Sequence, residues 1–176
     1  MVIHHLLPDL RPDDERLQRA VDLAWLLRRC GVSSELWSSS PSPSLRGLVR
    51  DVDTLRPRGG DLVLLHHVAA TPLASRWMLL AGRKGLVFHA PRSTIPGDRE
   101  AAAAQLAAMA SFSELTLTFA PHATDLATRS GHGNVRQLPP VFEAARFAPH
   151  LADAPLTRML RGTEPPLVAS LREELQ

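Results

Sequence analysis

The sequence predicts an α/β protein: a mostly parallel sheet of about six strands, covered by helices on both faces. Three observations carry this. Short apolar runs alternate with longer amphipathic segments for about 140 residues, the pattern of repeated β-α-β units. The run Asp61-Leu62-Val63-Leu64-Leu65-His66-His67 is apolar on both faces, as strands of a parallel sheet buried between helix layers are. Finally, 44% of the 176 residues are hydrophobic, enough for the core of one domain.

Residues 2–7 read as the first strand, and the prolines at 8 and 12 turn the chain. Asp13 or Asp14 can cap a helix there, placing negative charge at its positive end. Leu17, Ala20, Val21, Ala24 and Leu27 then fall on one helical face, and Gly31 ends the helix. Residues 32–37 form the second strand. The Ser/Pro run 38–44 is a loop, and 45–52 has the spacing of a short amphipathic helix.

Pro57-Arg58-Gly59-Gly60 turns the chain into the third strand, 61–67. Pro72 suits the first turn of a helix reaching about Ala81. The fourth strand begins near Lys84 and breaks at Ala90-Pro91 into a polar loop. Asp98 or Arg99 opens an alanine-rich helix to about Ser111, and 115–119 is the fifth strand. Pro121 opens a helix that stops at Gly131, and 135–138 is a short sixth strand. The expected architecture is a single Rossmann-like three-layer domain over 1–149, with 150–176 a linker and helical tail.

Composition narrows the function classes. Net charge is +2, and the pI of 9.4 reflects cations that are almost all Arg, with Lys84 the only lysine and no tyrosine. No dense basic run with interleaved aromatics is present, so nucleic acid is not an expected partner. No apolar run reaches the roughly 18 residues of a bilayer span. The N-terminus lacks the basic-then-apolar order of a signal peptide. Cys30, the single cysteine, permits no intrachain disulfide and reads as a buried structural thiol at a helix end. A reducing, cytoplasmic setting is expected.

The stretch from Lys84 to Gly97 is the best pointer to a site. His89 sits where the fourth strand gives way to a loop carrying Arg92, Ser93 and Thr94, residues able to hold a hydroxyl or a phosphate. In an open α/β sheet, ligands bind at the carboxyl ends of the strands. His4-His5 and His66-His67 also read as strand-end pairs, so three strands would bring imidazoles to one edge. Arg16 and Arg19 on the first helix could reach an anion, but a solvated helix face is the plainer account of them. For each histidine the plain alternative is a half-exposed residue with no chemical role.

Several chemistries lack their signatures. Adjacent strand histidines point to opposite faces, so His66 and His67 do not grip one ion together, and no His-Glu-x-x-His or cysteine pair is present. No metal is expected. The turn after the first strand, Pro8 to Asp14, contains no glycine, which argues against a tight dinucleotide grip. No P-loop and no Gly-x-Ser-x-Gly elbow occurs. Gly131-His132-Gly133-Asn134 is explained by a helix stop before a strand.

Taken in order, these segments resemble the N-terminal half of a GT-B glycosyltransferase of the GT4 kind. The matching pieces are Val2-Ile3-His4-His5, Asp13-Asp14 opening a long helix, and Leu26-Leu27-Arg28-Arg29-Cys30-Gly31-Val32 closing it. They continue with the run 61–67, with Leu86-Val87-Phe88-His89-Ala90-Pro91, and with Asn134-Val135-Arg136-Gln137-Leu138-Pro139-Pro140-Val141 and Arg146-Phe147-Ala148-Pro149. The resemblance covers roughly residues 2–149.

What it implies is an acceptor-binding domain acting in hexosyl transfer from a nucleotide-sugar. His89 matches the strand-end histidine that contacts the transferred sugar in that family. His66, His67, Arg92, Ser93, Thr94, His4 and Arg16 are the expected substrate-binding residues around it. No cofactor is implied; the nucleotide-sugar is a co-substrate held mainly by a donor-binding domain that this sequence does not include. The expected partners are a sugar or glycan acceptor and either a donor-binding domain or a second copy of the chain. Alone, the chain is expected to be inactive. Two departures stand out: the family's Gly-rich first turn is missing, and Ala120-Pro121-His122-Ala123 replaces its Ser-centred motif. The competing expectation is a non-catalytic Rossmann-like module that binds another protein.

Overall fold

In a computed structural model, the described residues are 1–8, 15–40, 47–66, 72–89 and 96–138, without the side chains of 15–18, 96, 98 and 99. They form β1 (Val2–Leu7), α1 (Glu15–Arg29), β2 (Ser33–Ser38), β3 (Val49–Asp51), β4 (Leu62–His66), α2 (Pro72–Leu79), β5 (Arg83–Phe88), α3 (Pro96–Ala110), β6 (Leu115–Thr118), α4 (Pro121–Arg129) and β7 (Val135–Gln137). The predicted tail, 150–176, lies outside the described residues.

All seven strands are parallel, in the order β3-β2-β1-β4-β5-β6-β7. The predicted α/β class and parallel sheet hold. Alternation along each strand divides the core into two layers. On one face, Leu6, Val63, Leu65, Leu86 and Phe88 pack with Leu73, Ala74 and Trp77 of α2, Leu106 and Met109 of α3, and Ala123 and Ala127 of α4. On the other, Leu23 and Leu27 of α1 pack with Ile3, Leu62, Leu64 and Val87, while Ala20 and Ala24 pack with Leu7 and Leu36.

The seventh strand corrects the sequence reading. Residues 45–52 were expected to be a helix because Leu45, Leu48, Val49 and Val52 recur at helical spacing. Instead Val49–Asp51 is β3, paired with β2, and Val52–Thr54 is a single 3₁₀ turn capped by the Asp51 carboxylate, which accepts from Asp53 N at 2.9 Å. Gly47 has φ +89°, a left-handed conformation that cannot continue a right-handed helix. Val49 then enters the α1-side core and Val52 the opposite one, so one apparent stripe serves two faces.

Most helix boundaries follow from capping chemistry. Pro72 and Pro121 stand at the first helical positions, as expected. α3 starts at Pro96, two residues before the expected Asp98. Beyond α4, Gly131 N donates to Thr128 O and His132 N to Ala127 O, the pattern that closes a helix on a glycine. Cys30, expected in the core, is half-buried just past α1.

Candidate functional site at the carboxyl rim

Because every strand is parallel, all carboxyl ends share one edge. From β1 the chain goes outward through β2 to β3, then crosses back to β4 on the other side of β1. The order therefore reverses between β1 and β4, the place where such sheets leave a crevice for ligands. His66 is the last residue of β4, and His89 follows β5 directly.

Register brings three imidazoles together on the α1 side of the sheet. His5 pairs with Leu64, two residues before His66, and His66 pairs with Val87, two residues before His89. Residues two apart share a face, and such diagonal neighbours on adjacent strands are within reach of long side chains. His5 Nδ1 lies 2.9 Å from His66 Nε2, and His66 Nδ1 lies 3.5 Å from His89 Nε2. At its other end, His5 Nε2 is 2.9 Å from the Ser34 hydroxyl. The four side chains form one ladder rising across β2, β1, β4 and β5.

The ladder is buried at its foot and half-buried at its head. His5 and His66 have no exposed surface, whereas His89 is half-buried. Burial takes His5 from the ordinary imidazole range down to about 3, with the neighbouring His4 and Arg28 acting in the same direction. His66 is held well below its ordinary value, first by burial and then by repulsion from His5 and His89. Both rings are neutral at pH 7, so each offers one donor and one acceptor.

Around the head of the ladder, the Phe119 ring lies 5.2 Å from His89, and the Arg19 guanidinium sits over Phe119 at 5.1 Å from its centroid. Phe119 was passed over in the sequence because it looked like one more strand residue. Its place just past β6 is the available signal, since it follows the same strand-end logic as His89. Arg19, read as a solvated helix residue, stands beside the site.

His4 corrects the strand-end expectation. His4 and His5 lie in the middle of β1, which runs two residues further, and alternation sends them to opposite faces. His4 accepts a hydrogen bond from Trp37 Nε1 at 3.1 Å. Its Nε2 lies 3.6 Å from Asp61, which precedes β4 at the amino edge. Asp61 also accepts from Val2 N at 2.7 Å and Arg58 N at 2.8 Å. Burial alone would raise the Asp61 pKa, but the two backbone donors and His4 outweigh it and hold the carboxylate below its ordinary value. His4 thus joins a structural cluster away from the carboxyl rim. His5, in turn, enters as the buried middle of the ladder.

His67, Arg92, Ser93 and Thr94 lie outside the described residues, and Arg16 falls in the first turn of α1 with its side chain likewise outside them. Among the described residues, no three His, Cys, Asp or Glu side chains form a metal-binding group. No described helix is long and apolar enough to cross a membrane. No protein-family model matches this chain, and no curated protein matches it.

Proposed function

We propose that this chain is the acceptor-side domain of a GT-B, GT4-like glycosyltransferase, with His89 touching the sugar during transfer from a nucleotide-sugar. One observation carries the reading: His89 stands half-buried past the end of β5, close to the reversal of strand order, with its imidazole backed by His66 and flanked by Phe119. The motifs that resemble the family supply the chemistry. An aromatic face suits the C–H surface of a pyranose, and an imidazole can exchange hydrogen bonds with its hydroxyls. Arg19 adds a cation next to Phe119, fitted to a phosphate oxygen.

In this reading the domain works by positioning. The acceptor rests at the rim, and the bond between the sugar's anomeric carbon and the nucleoside diphosphate breaks as the acceptor oxygen bonds to that carbon. The nucleoside diphosphate leaves with the electron pair and takes up the proton that the acceptor hydroxyl gives up. Orientation and stabilisation of that departing charge supply most of the acceleration. In this reading a donor-binding domain comes from further chain or from a partner, and the isolated domain is expected to be inactive.

The test has two stages. Saturation-transfer NMR with a panel of mono- and disaccharides should show contacts from sugar protons to the isolated chain, and His89→Ala should weaken them. Mixing the chain with a GT-B donor-binding domain and nucleotide-sugars should then give transfer. His89→Ala should reduce it by roughly tenfold to a hundredfold, the value of one hydrogen bond to a charged or polarised oxygen. Unchanged transfer by the variant would remove His89 from the site. Silence across the whole sugar panel would remove the reading.

A further inference from the structure

The ladder does more than place His89. A chain of neutral imidazoles linked nitrogen to nitrogen has a polarity, because each ring that donates on one side must accept on the other. Heavy-atom positions allow two polarities. In one, protons sit on every Nε2 and point down toward Ser34. In the other, the Ser34 hydroxyl donates to His5 Nε2, His5 Nδ1–H donates to His66 Nε2, and His66 Nδ1–H donates to His89 Nε2. A mixed arrangement sets two N–H groups or two lone pairs against each other in the buried interior, which is costly.

We infer that Ser34, His5 and His66 are positioning residues that fix the tautomer of His89, holding its proton on Nδ1, with Arg28 setting the polarity. The Arg28 side chain donates through Nε to the Ser34 carbonyl at 2.6 Å, so a permanent cation stands at the foot of the ladder. Its field reaches His5 and disfavours positive charge there. N–H dipoles with their positive ends turned away from that cation are favoured, which selects the upward polarity. Arg28 and Ser34 line a surface cleft of about 380 Å³ together with Ser33, Glu35 and Arg50. The foot of the ladder therefore borders this cleft, and its head ends at the half-buried His89.

Among the described residues, the charged and titratable groups bearing on the ladder are His4 on β1, Glu35 on β2, Arg28 at the foot and Arg19 near the head on α1, and the three ladder histidines themselves. The consequence for chemistry is specific. With Nε2 engaged by His66, the His89 ring holds its hydrogen on Nδ1, from which it can donate to a hydroxyl or phosphate oxygen. Only this last step rests on the glycosyltransferase reading.

Long-range ¹H–¹⁵N spectra of the histidine rings in the intact chain at pH 7 test the inference without any sugar. The expected result is the Nδ1–H tautomer for His5, His66 and His89, with no titration of His5 or His66 between pH 8 and pH 5.5. Arg28→Glu replaces an exposed side chain and reverses the charge at the foot. It should move the larger share of the His89 proton to Nε2, while Arg29→Glu, one residue on and stacked on Trp25, leaves the tautomers unchanged. Nε2–H on His5 and His66 in the unaltered chain overturns the inference, as do unlike tautomers on the two rings. So does an Arg28→Glu spectrum that matches Arg29→Glu. Tautomers as expected, with no sugar bound in the saturation-transfer experiment, would sink the transferase reading and leave the ladder standing.

Discussion

At the scale of single residues, the molecule keeps two imidazoles uncharged in its interior, and this has a direct cost in acid. His5 and His66 bind a proton readily when the chain is unfolded, near the ordinary pKa, but only far below it when folded. Their folded values are depressed, so the stability is fully present above about pH 6.5 and falls as the pH drops below it. For His5 the loss continues to about pH 3. Between pH 7 and pH 5 His5 should cost roughly 2 kcal/mol, with His66 adding to the loss in the same direction, read from urea unfolding followed by circular dichroism at both pH values. A flat profile would mean that both take up their protons in the folded chain. Asp61 adds to the same trend lower down, where its carboxylate would have to accept a proton while holding Val2 and Arg58. Asp61→Ala should destabilise the chain by about 2–3 kcal/mol in the same assay at pH 7, since two buried or half-buried backbone donors lose a charged acceptor. His66 and His89 were legible in the sequence because each closes an apolar run. The destination of His4 was not: its partners Trp37 and Asp61 lie 33 and 57 residues away, and no local pattern announces them.

At the scale of elements, the chain was legible wherever one residue type settles the backbone. The prolines at 72 and 121 start helices because they lack an N–H and hold the helical φ. Residues 45–52 were misread because spacing is silent about φ, and Gly47 decided the matter with a left-handed turn. A second such position joins α2 to β5. Gly82 has φ +92°, and a Cβ there would come within 2.7 Å of the Asp61 carbonyl oxygen and 3.0 Å of that of Arg58. Gly82→Ala should therefore cost on the order of 2 kcal/mol or more, from the unfavourable conformation plus a collision with backbone that cannot move aside. Thermal unfolding of the variant measures it. The docking of α2 depends on Trp77, which is completely buried and donates through Nε1 to the Val63 carbonyl at 2.8 Å. Trp77→Ala should cost about 3–5 kcal/mol by the same measurement, a large share of the stability of an ordinary domain.

At the scale of the whole molecule, the order of strands is what turns scattered histidines into a site. Alternating strand and helix signals make the parallel sheet legible in the sequence, and with it the shared carboxyl edge. The position of the reversal between β1 and β4 was not readable, because it depends on which side of β1 the chain returns to after β3. Nor was the register, which decides that His5, His66 and His89 meet while His4 faces away. The same sheet seals two of those imidazoles between β1, β4 and the α1 layer. A small acylating reagent that attacks neutral imidazole in water meets the half-buried His89 on an ordinary timescale but cannot meet His5 or His66 until neighbouring strands part. The slow phase of such a reaction, followed residue by residue by mass spectrometry, is then a clock for the opening of the sheet at its centre.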